Sequence, residues 1–390
     1  MNELIIRNAR IVTEQGLIEN GVIHTSNGII SYVGDGAAPN LETATSAAQH
    51  VDAGGSWLLP GFIDVHVHGG YGADFMDATQ EALDTITRFH ALHGTTSMLA
   101  TTMTAAREDI DRVLGEVHSY MSKPMPYTQL LGVHMEGPFV SPKWAGAQDP
   151  NLMVPPQLAW LQDWHARFPQ LVRQLTLAPE REGALEMIAW LRDRDIVAAC
   201  GHTDASYADI QSAVSEGLTH AVHTFNAMKP LHHREPGTVG AILTDARVSG
   251  EVIADGHHVH PAAIRLLTMV KQPHGLLLIT DAMSAAGLGD GEYELGGQAV
   301  TVKSGVARLT EVGALAGSTL TMIEALRFMV REVGVSVAEA SRYASGNPAR
   351  LLRLEATHGS IALGKRADLL LVNAELELER VWVQSREINA

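Results

Sequence analysis

The chain has a single cysteine, Cys200, in 390 residues, so no intrachain disulfide can form and a reducing compartment is expected. Basic residues are scarce: 28 Lys and Arg stand against 44 Asp and Glu, a formal net charge of −16. Both nucleic acid and anionic membrane want basic patches, so neither is an expected partner. A small anionic ligand is still allowed, because it needs only a local cation. No apolar run approaches the ~20 residues of a membrane-spanning helix. The opening MNELIIRNAR lacks a basic region followed by an apolar core, so no secretory leader is expected. These absences together predict a cytoplasmic protein.

Histidine, by contrast, is plentiful, with 19 residues. Its most telling placement is Pro60-Gly61-Phe62-Ile63-Asp64-Val65-His66-Val67-His68-Gly69-Gly70. In a strand, residues i and i+2 face the same side, so His66 and His68 aim two imidazoles at one point. Imidazole suits zinc, iron or nickel. A lone His-x-His is weak on its own; what surrounds it carries the weight.

Residues 1–57 read as short strands and tight turns (Leu4–Ile6, Arg10–Val12, Gly21–Thr25, Ile29–Val33), with Asn27-Gly28 as a hairpin signal. From Pro60 the pattern alternates strand and helix. Eight apolar runs stand out: Phe62–Val65, Thr96–Ala100, Leu130–Met135, Gln174–Ala178, Ile196–Ala199, Thr219–His223, Gly250–Ala254 and Leu276–Thr280. Amphipathic segments such as Glu81–Leu92, Glu108–Met121, Leu185–Arg192 and Ala262–Val270 separate them, and the last barrel helix is predicted over Ser318–Val333. This is the pattern of an α/β protein with a (β/α)8 barrel at 58–354. The β pattern returns at Gly359–Ile361, Asp368–Val372 and Leu378–Val383. Residues 1–57 and 355–390 are therefore expected to build one small β-sandwich domain from both termini.

Ionisable residues collect where the runs end, and in such a barrel those ends share one mouth. They are His66 and His68, then Glu136, Glu180, His202 with Asp204, His223, Asp255 with His257 and His258, and Asp281. A His2Glu set of Glu136, His202 and His223 matches catalytic zinc sites that keep a position open. His66 and His68 would hold a second ion, with Glu136 bridging. No run ends in lysine, so a bridging carbamylated lysine is not an option. His134 and His220 read as packing or supporting histidines. Asp281, on the last run, is the expected proton shuttle.

The motifs PGFIDVHVHG, NPARLL and GSIALGKRADLLLV resemble the amidohydrolase superfamily. Within it, HMEGPF, TLAPE, GHTDAS, HTFNAM, REPG, ADGHHV, TDAMSAAG and LAGSTLTM, in that order, resemble the N-acetylglucosamine-6-phosphate deacetylase family. The resemblance covers essentially the whole chain. It implies removal of acetyl from an N-acetylated amino-sugar phosphate, with the galacto epimer and a catalytically silent sugar-phosphate binder as the alternatives. It implies one or two divalent ions, zinc first and iron, manganese or cobalt otherwise. It agrees on Glu136, His202, His223 and Asp281. It adds substrate contacts at Asn226, Ala227, Arg234, His258, Leu315, Ala316 and Gly317, and a homodimer in which Arg234 reaches the neighbouring site. Some members carry Gln-x-Asn where this chain has His66 and His68. Gln148, beside Ala147, stands where some members place a histidine on the acetyl carbonyl, and both are expected at the substrate. An amide can donate to that oxygen but cannot titrate.

Overall fold

Strands buried on both faces need apolar residues at every position, so in a parallel barrel they appear as unbroken runs. The computed structural model describes residues 3–36 and 48–389 and places a parallel strand at each of the eight runs. The barrel strands, one to eight, are Phe62–Asp64, Thr95–Thr102, Gln129–Glu136, Val172–Leu177, Val197–Cys200, His220–Ala221, Ser249–Ile253 and Leu276–Ile279. They pair in chain order. Strand two shows the logic, with all eight residues buried. Strands one and eight meet just past their ends: Asp281 N donates to His66 O at 2.9 Å, and the Thr280 hydroxyl donates to the Asp64 carboxylate. The seam thus closes at the mouth, which sets Asp281 beside His66.

Connecting helices include Gln80–Leu92, Arg107–Met121, Ala184–Arg192 and Pro261–Val270. Thr79 caps the first, its hydroxyl accepting from Ala82 N. No described helix is long and apolar enough to cross a membrane.

The termini build a separate eight-stranded sheet. Trp57–Pro60 stitches it together, parallel to Glu3–Thr13 and antiparallel to Leu369–Val372, so the sheet takes in residues beyond 57. Strand periodicity docks it on the barrel: Leu369 and Leu371 enter the sheet's own core with Leu58 and Trp382, while Leu370 and Val372 join Leu59, Phe62 and Ile63 against the barrel. Burying each such leucine contributes roughly 1.5–3 kcal/mol.

Four details differ from the sequence reading. Leu4–Ile6 and Arg10–Val12 form one strand, irregular in register around Asn8, whose φ is +56°. Gly359–Ile361 is not a strand; Ser360 instead donates to Glu14 at 2.7 Å. The last barrel helix begins at Met322 rather than Ser318, because Ser318 is tied back to strand eight through Asp281 O and Thr280 O. Between strand eight and that helix lies an unforeseen three-stranded antiparallel insert, Gly291–Leu295, Gln298–Lys303 and Val306–Leu309.

Candidate active site

All parallel strands point their carboxyl ends to the same mouth, so the residues just past them must converge. His66 and His68 follow strand one, Glu136 ends strand three, and His202, His223 and Asp281 follow strands five, six and eight. All six are buried. His202, His223 and Asp281 have φ of +45°, +29° and +51°. Three non-glycine residues in the left-handed region at one mouth mark a backbone held against its local preference, as functional sites often are. After His68 the chain must leave at once, and a Cβ on Gly69 would lie 2.2 Å from Ala73 O, so only glycine fits that turn.

Glu136 sits at the centre. Its Oε1 is 3.2 Å from His202 Nε2, 3.0 Å from His223 Nε2 and 3.4 Å from His66 Nε2. His202 Nε2 and His223 Nε2 are themselves 3.1 Å apart. On the other side, Glu136 Oε2 is 3.3 Å from His68 Nε2, and Asp281 Oδ1 is 3.5 and 3.3 Å from the Nε2 atoms of His66 and His68. Ligands about 2.0–2.1 Å from a tetrahedral ion stand roughly 3.3–3.4 Å apart. Both clusters therefore have the spacing of metal donors. His202 is oriented for this, because its Nδ1 lies 2.9 Å from Trp144 O, leaving Nε2 to face Glu136. His66 Nε2 is buried without a hydrogen-bond partner, as a ligand lone pair facing a cation would be.

The charges agree. Burial alone would push the Glu136 carboxyl up, but His66, His202 and His223 hold it well below the usual carboxylate range. Burial likewise opposes ionisation of Asp281, while His66 and His68 pull it down. Burial lowers His66, yet Glu136, Glu251 and Asp281 together raise it well above its ordinary value. Anionic carboxylates surround these imidazoles, and a divalent cation satisfies both partners where protons otherwise must.

A cavity of about 500 Å³ opens above this floor. Of the expected substrate contacts, Ala147, Gln148, Asn226, Ala227, His258, Leu315 and Gly317 line it. His258 Nδ1 is held 2.6 Å from Asp255 Oδ2, which leaves Nε2 for a ligand. Gln148 is engaged on both sides, its amide donating to Glu136 Oε2 at 2.7 Å and its oxygen accepting from Thr104 N at 2.7 Å. Only its second N–H remains for an acetyl oxygen. Ala316, expected as a contact, is fully buried among Met283, Leu309 and their neighbours instead. Arg234 is exposed and lies outside this chain's own cavity lining, with its guanidinium on His233.

His134 and His220 stay below the floor, His134 Nε2 on the Thr176 hydroxyl at 2.8 Å and His220 Nε2 on Glu251 at 2.9 Å. Cys200 is buried, its thiol pushed up to about 12 by that burial, and is no nucleophile. Lys143 and Arg308 are cavity residues that the sequence reading missed. Another cavity, about 480 Å³, lies at the far end of the barrel. Its Arg247 and Arg353 are already paired with Asp245 and Asp195, and that face of a barrel ordinarily serves stability.

A parallel eight-stranded barrel with histidines and carboxylates at donor spacing in its mouth defines a class: an α/β barrel built around a metal-holding centre. The Amidohydrolase family model matches residues 57–387, and the chain belongs to that family. It is 41% identical to N-acetylglucosamine-6-phosphate deacetylase of Bacillus subtilis (strain 168), over 96% of this chain and 94% of that protein. It is 38% identical to N-acetylgalactosamine-6-phosphate deacetylase of Escherichia coli O157:H7, over 98% of each. The solved N-acetyl-D-glucosamine-6-phosphate deacetylase of Mycobacterium smegmatis superposes with a TM-score of 0.91 at 35% identity, over 99% of this chain and 100% of that one.

Proposed function

We propose that the chain hydrolyses the acetamide of N-acetyl-D-glucosamine 6-phosphate to D-glucosamine 6-phosphate and acetate, in cytoplasmic amino-sugar breakdown and cell-wall sugar recycling. The observation that carries this is the cluster of six buried ionisable side chains beneath a cavity walled by Asn226, Ala227 and His258. In this reading Glu136, His202 and His223 hold one divalent ion, and His66, His68 and Asp281 have the donors for a second. Zinc fits nitrogen and oxygen donors at this spacing; iron, manganese and cobalt are the alternatives. Bound there, such an ion supplies Lewis-acid chemistry, drawing water's pKa towards about 7 and polarising the amide oxygen.

The chain's own residues do the rest. Asp281 Oδ1 faces the two histidines, which leaves Oδ2 to take a proton from the attacking water. The same oxygen then returns that proton to the sugar nitrogen, so the C–N bond breaks with a neutral amine leaving. The free N–H of Gln148 is a donor for a substrate oxygen, and His258 Nε2, with the ring proton on Nδ1 facing Asp255, accepts from a substrate hydroxyl. The test is acetate release from the gluco and galacto substrates. Higher kcat/KM on the gluco epimer is expected. Preference for the galacto epimer would favour the second reading, which the Escherichia coli relative supports; release from neither would leave a binding protein.

The 6-phosphate needs cations; Arg234 is exposed and outside this chain's own cavity lining, so in this reading it serves a second copy, and a homodimer is part of the proposal. Losing a charge-assisted bidentate contact costs roughly 1.5–3 kcal/mol, or about 10–100-fold in binding. Arg234→Ala should therefore raise KM by that factor for the phosphorylated sugar and much less for N-acetylglucosamine. Mixed with Asp281→Asn chains, it should regain activity by pairing one intact site with one doubly defective site. An unchanged KM would hand the phosphate to Lys143 and Arg308 of the same chain.

A further inference from the structure

We propose that Glu251 is a positioning residue that fixes His66 in the single tautomer and ring orientation able to ligate metal. Glu251 lies in the middle of barrel strand seven and is fully buried. A carboxylate there is costly unless donors surround it, and four do. Its Oε2 is 2.8 Å from His66 Nδ1 and accepts from His223 N at 3.3 Å. Its Oε1 is 2.9 Å from His220 Nε2 and accepts from Gln174 Nε2 at 3.2 Å.

An ionised carboxylate only accepts, so in the neutral, metal-ligating ring His66 Nδ1 carries the proton and Nε2 the lone pair. That lone pair faces Glu136 Oε1 at 3.4 Å and Asp281 Oδ1 at 3.5 Å. The ring cannot swing away, because His134 packs edge-on against it with centroids 4.6 Å apart and planes at 87°. The same carboxylate also anchors the backbone of His223, a residue held at φ +29°. One side chain thus orders a ligand from strand one and the backbone of a ligand from strand six. Imidazole ligands are generally steered this way, by a partner on the other ring nitrogen.

This rests on the reading of His66 as a metal ligand. Metal-stripped protein would be titrated with Co²⁺ alone, following ligand-field absorption, and bound ions counted by elemental analysis. Wild type should take two ions. Glu251→Gln should weaken the site containing His66 by about 10–100-fold while leaving one tight site, and Glu251→Leu should abolish that weaker site. Should the leucine variant fail to fold, the glutamine variant still decides. In a His66→Gln background, Glu251→Gln should change Co²⁺ affinity no further, because the glutamine oxygen can still accept from His223 N and its effect on the other site passes through the missing imidazole. Wild-type affinities in Glu251→Gln would overturn the proposal. So would an equal loss in the His66→Gln background, the mark of a purely structural strut, or a single ion in wild type that His66→Gln does not disturb. Acetate release is scored separately, so an inactive wild type sinks the deacetylase reading while the Co²⁺ series still judges Glu251.

Discussion

Asp281→Asn should bind the phosphorylated sugar normally and turn it over at least on the order of 10²-fold more slowly, the range for losing a positioned general acid–base. The substitution is clean for reasons visible in the fold. Asp281 sits at φ +51°, a conformation asparagine tolerates better than alanine does. Its place in the barrel seam depends on main-chain atoms: Asp281 N donates to His66 O, and Ser318 N donates to Asp281 O at 2.7 Å. Both bonds survive the change. The amide keeps one oxygen for His66 and His68 but can no longer shuttle a proton. Substrate binding by calorimetry and kcat by acetate release separate the two consequences. If kcat stayed near wild type, another group would have to carry the proton. Alanine would add backbone strain and confuse the reading.

Burial on both faces made the barrel legible. Every one of its strands was written as a largely apolar run, and the ends of runs one, three, five, six, seven and eight carried residues that now sit in the mouth. Run two carried none, and Glu180 after run four instead accepts from Thr203 and Asp204 N. The insert was less legible because its strands are partly exposed and lack such runs, although its turns were signalled. Gly296-Gly297 and Ser304-Gly305 all have positive φ, as two-residue hairpins require. Overlooking them hid Arg308, which reaches the cavity from the insert's last strand. Lys143 had no pattern to betray it, being a cation in the single 3-10 turn Pro142–Trp144, paired with Asp204 at 2.8 Å. Glu251 was missed for the opposite reason. Attention to strand ends passes over a carboxylate inside a strand, although such a residue always demands an explanation. Ala316 went astray because a motif names neighbours without saying which face the wall.

His202→Ala and His223→Ala should each remove most bound metal and nearly all activity while the barrel stays folded. The three proposed ligands come from three strand ends, so losing one leaves at most two donors from that set. Neither change should break the fold. Both positions have positive φ, which histidine tolerates better than alanine, so the cost is local backbone strain just past the strand ends rather than lost core packing. The apolar clusters around the strands contain neither residue. The decisive measurement is thermal melting with and without added metal. An ion that binds only the folded state stabilises it by RT ln(1 + [L]/Kd), about 4 kcal/mol at a thousandfold excess over Kd. Metal-stripped wild type should therefore melt distinctly higher when the ion is restored. The two variants should respond far less at the same ion concentration. Should either variant gain the full stabilisation and turn over normally, Glu136, His202 and His223 are not the essential set. The ion would then have to sit among His66, His68 and Asp281 or, in the His202 variant, among His66, Glu136 and His223, both sets having donor spacing able to hold it.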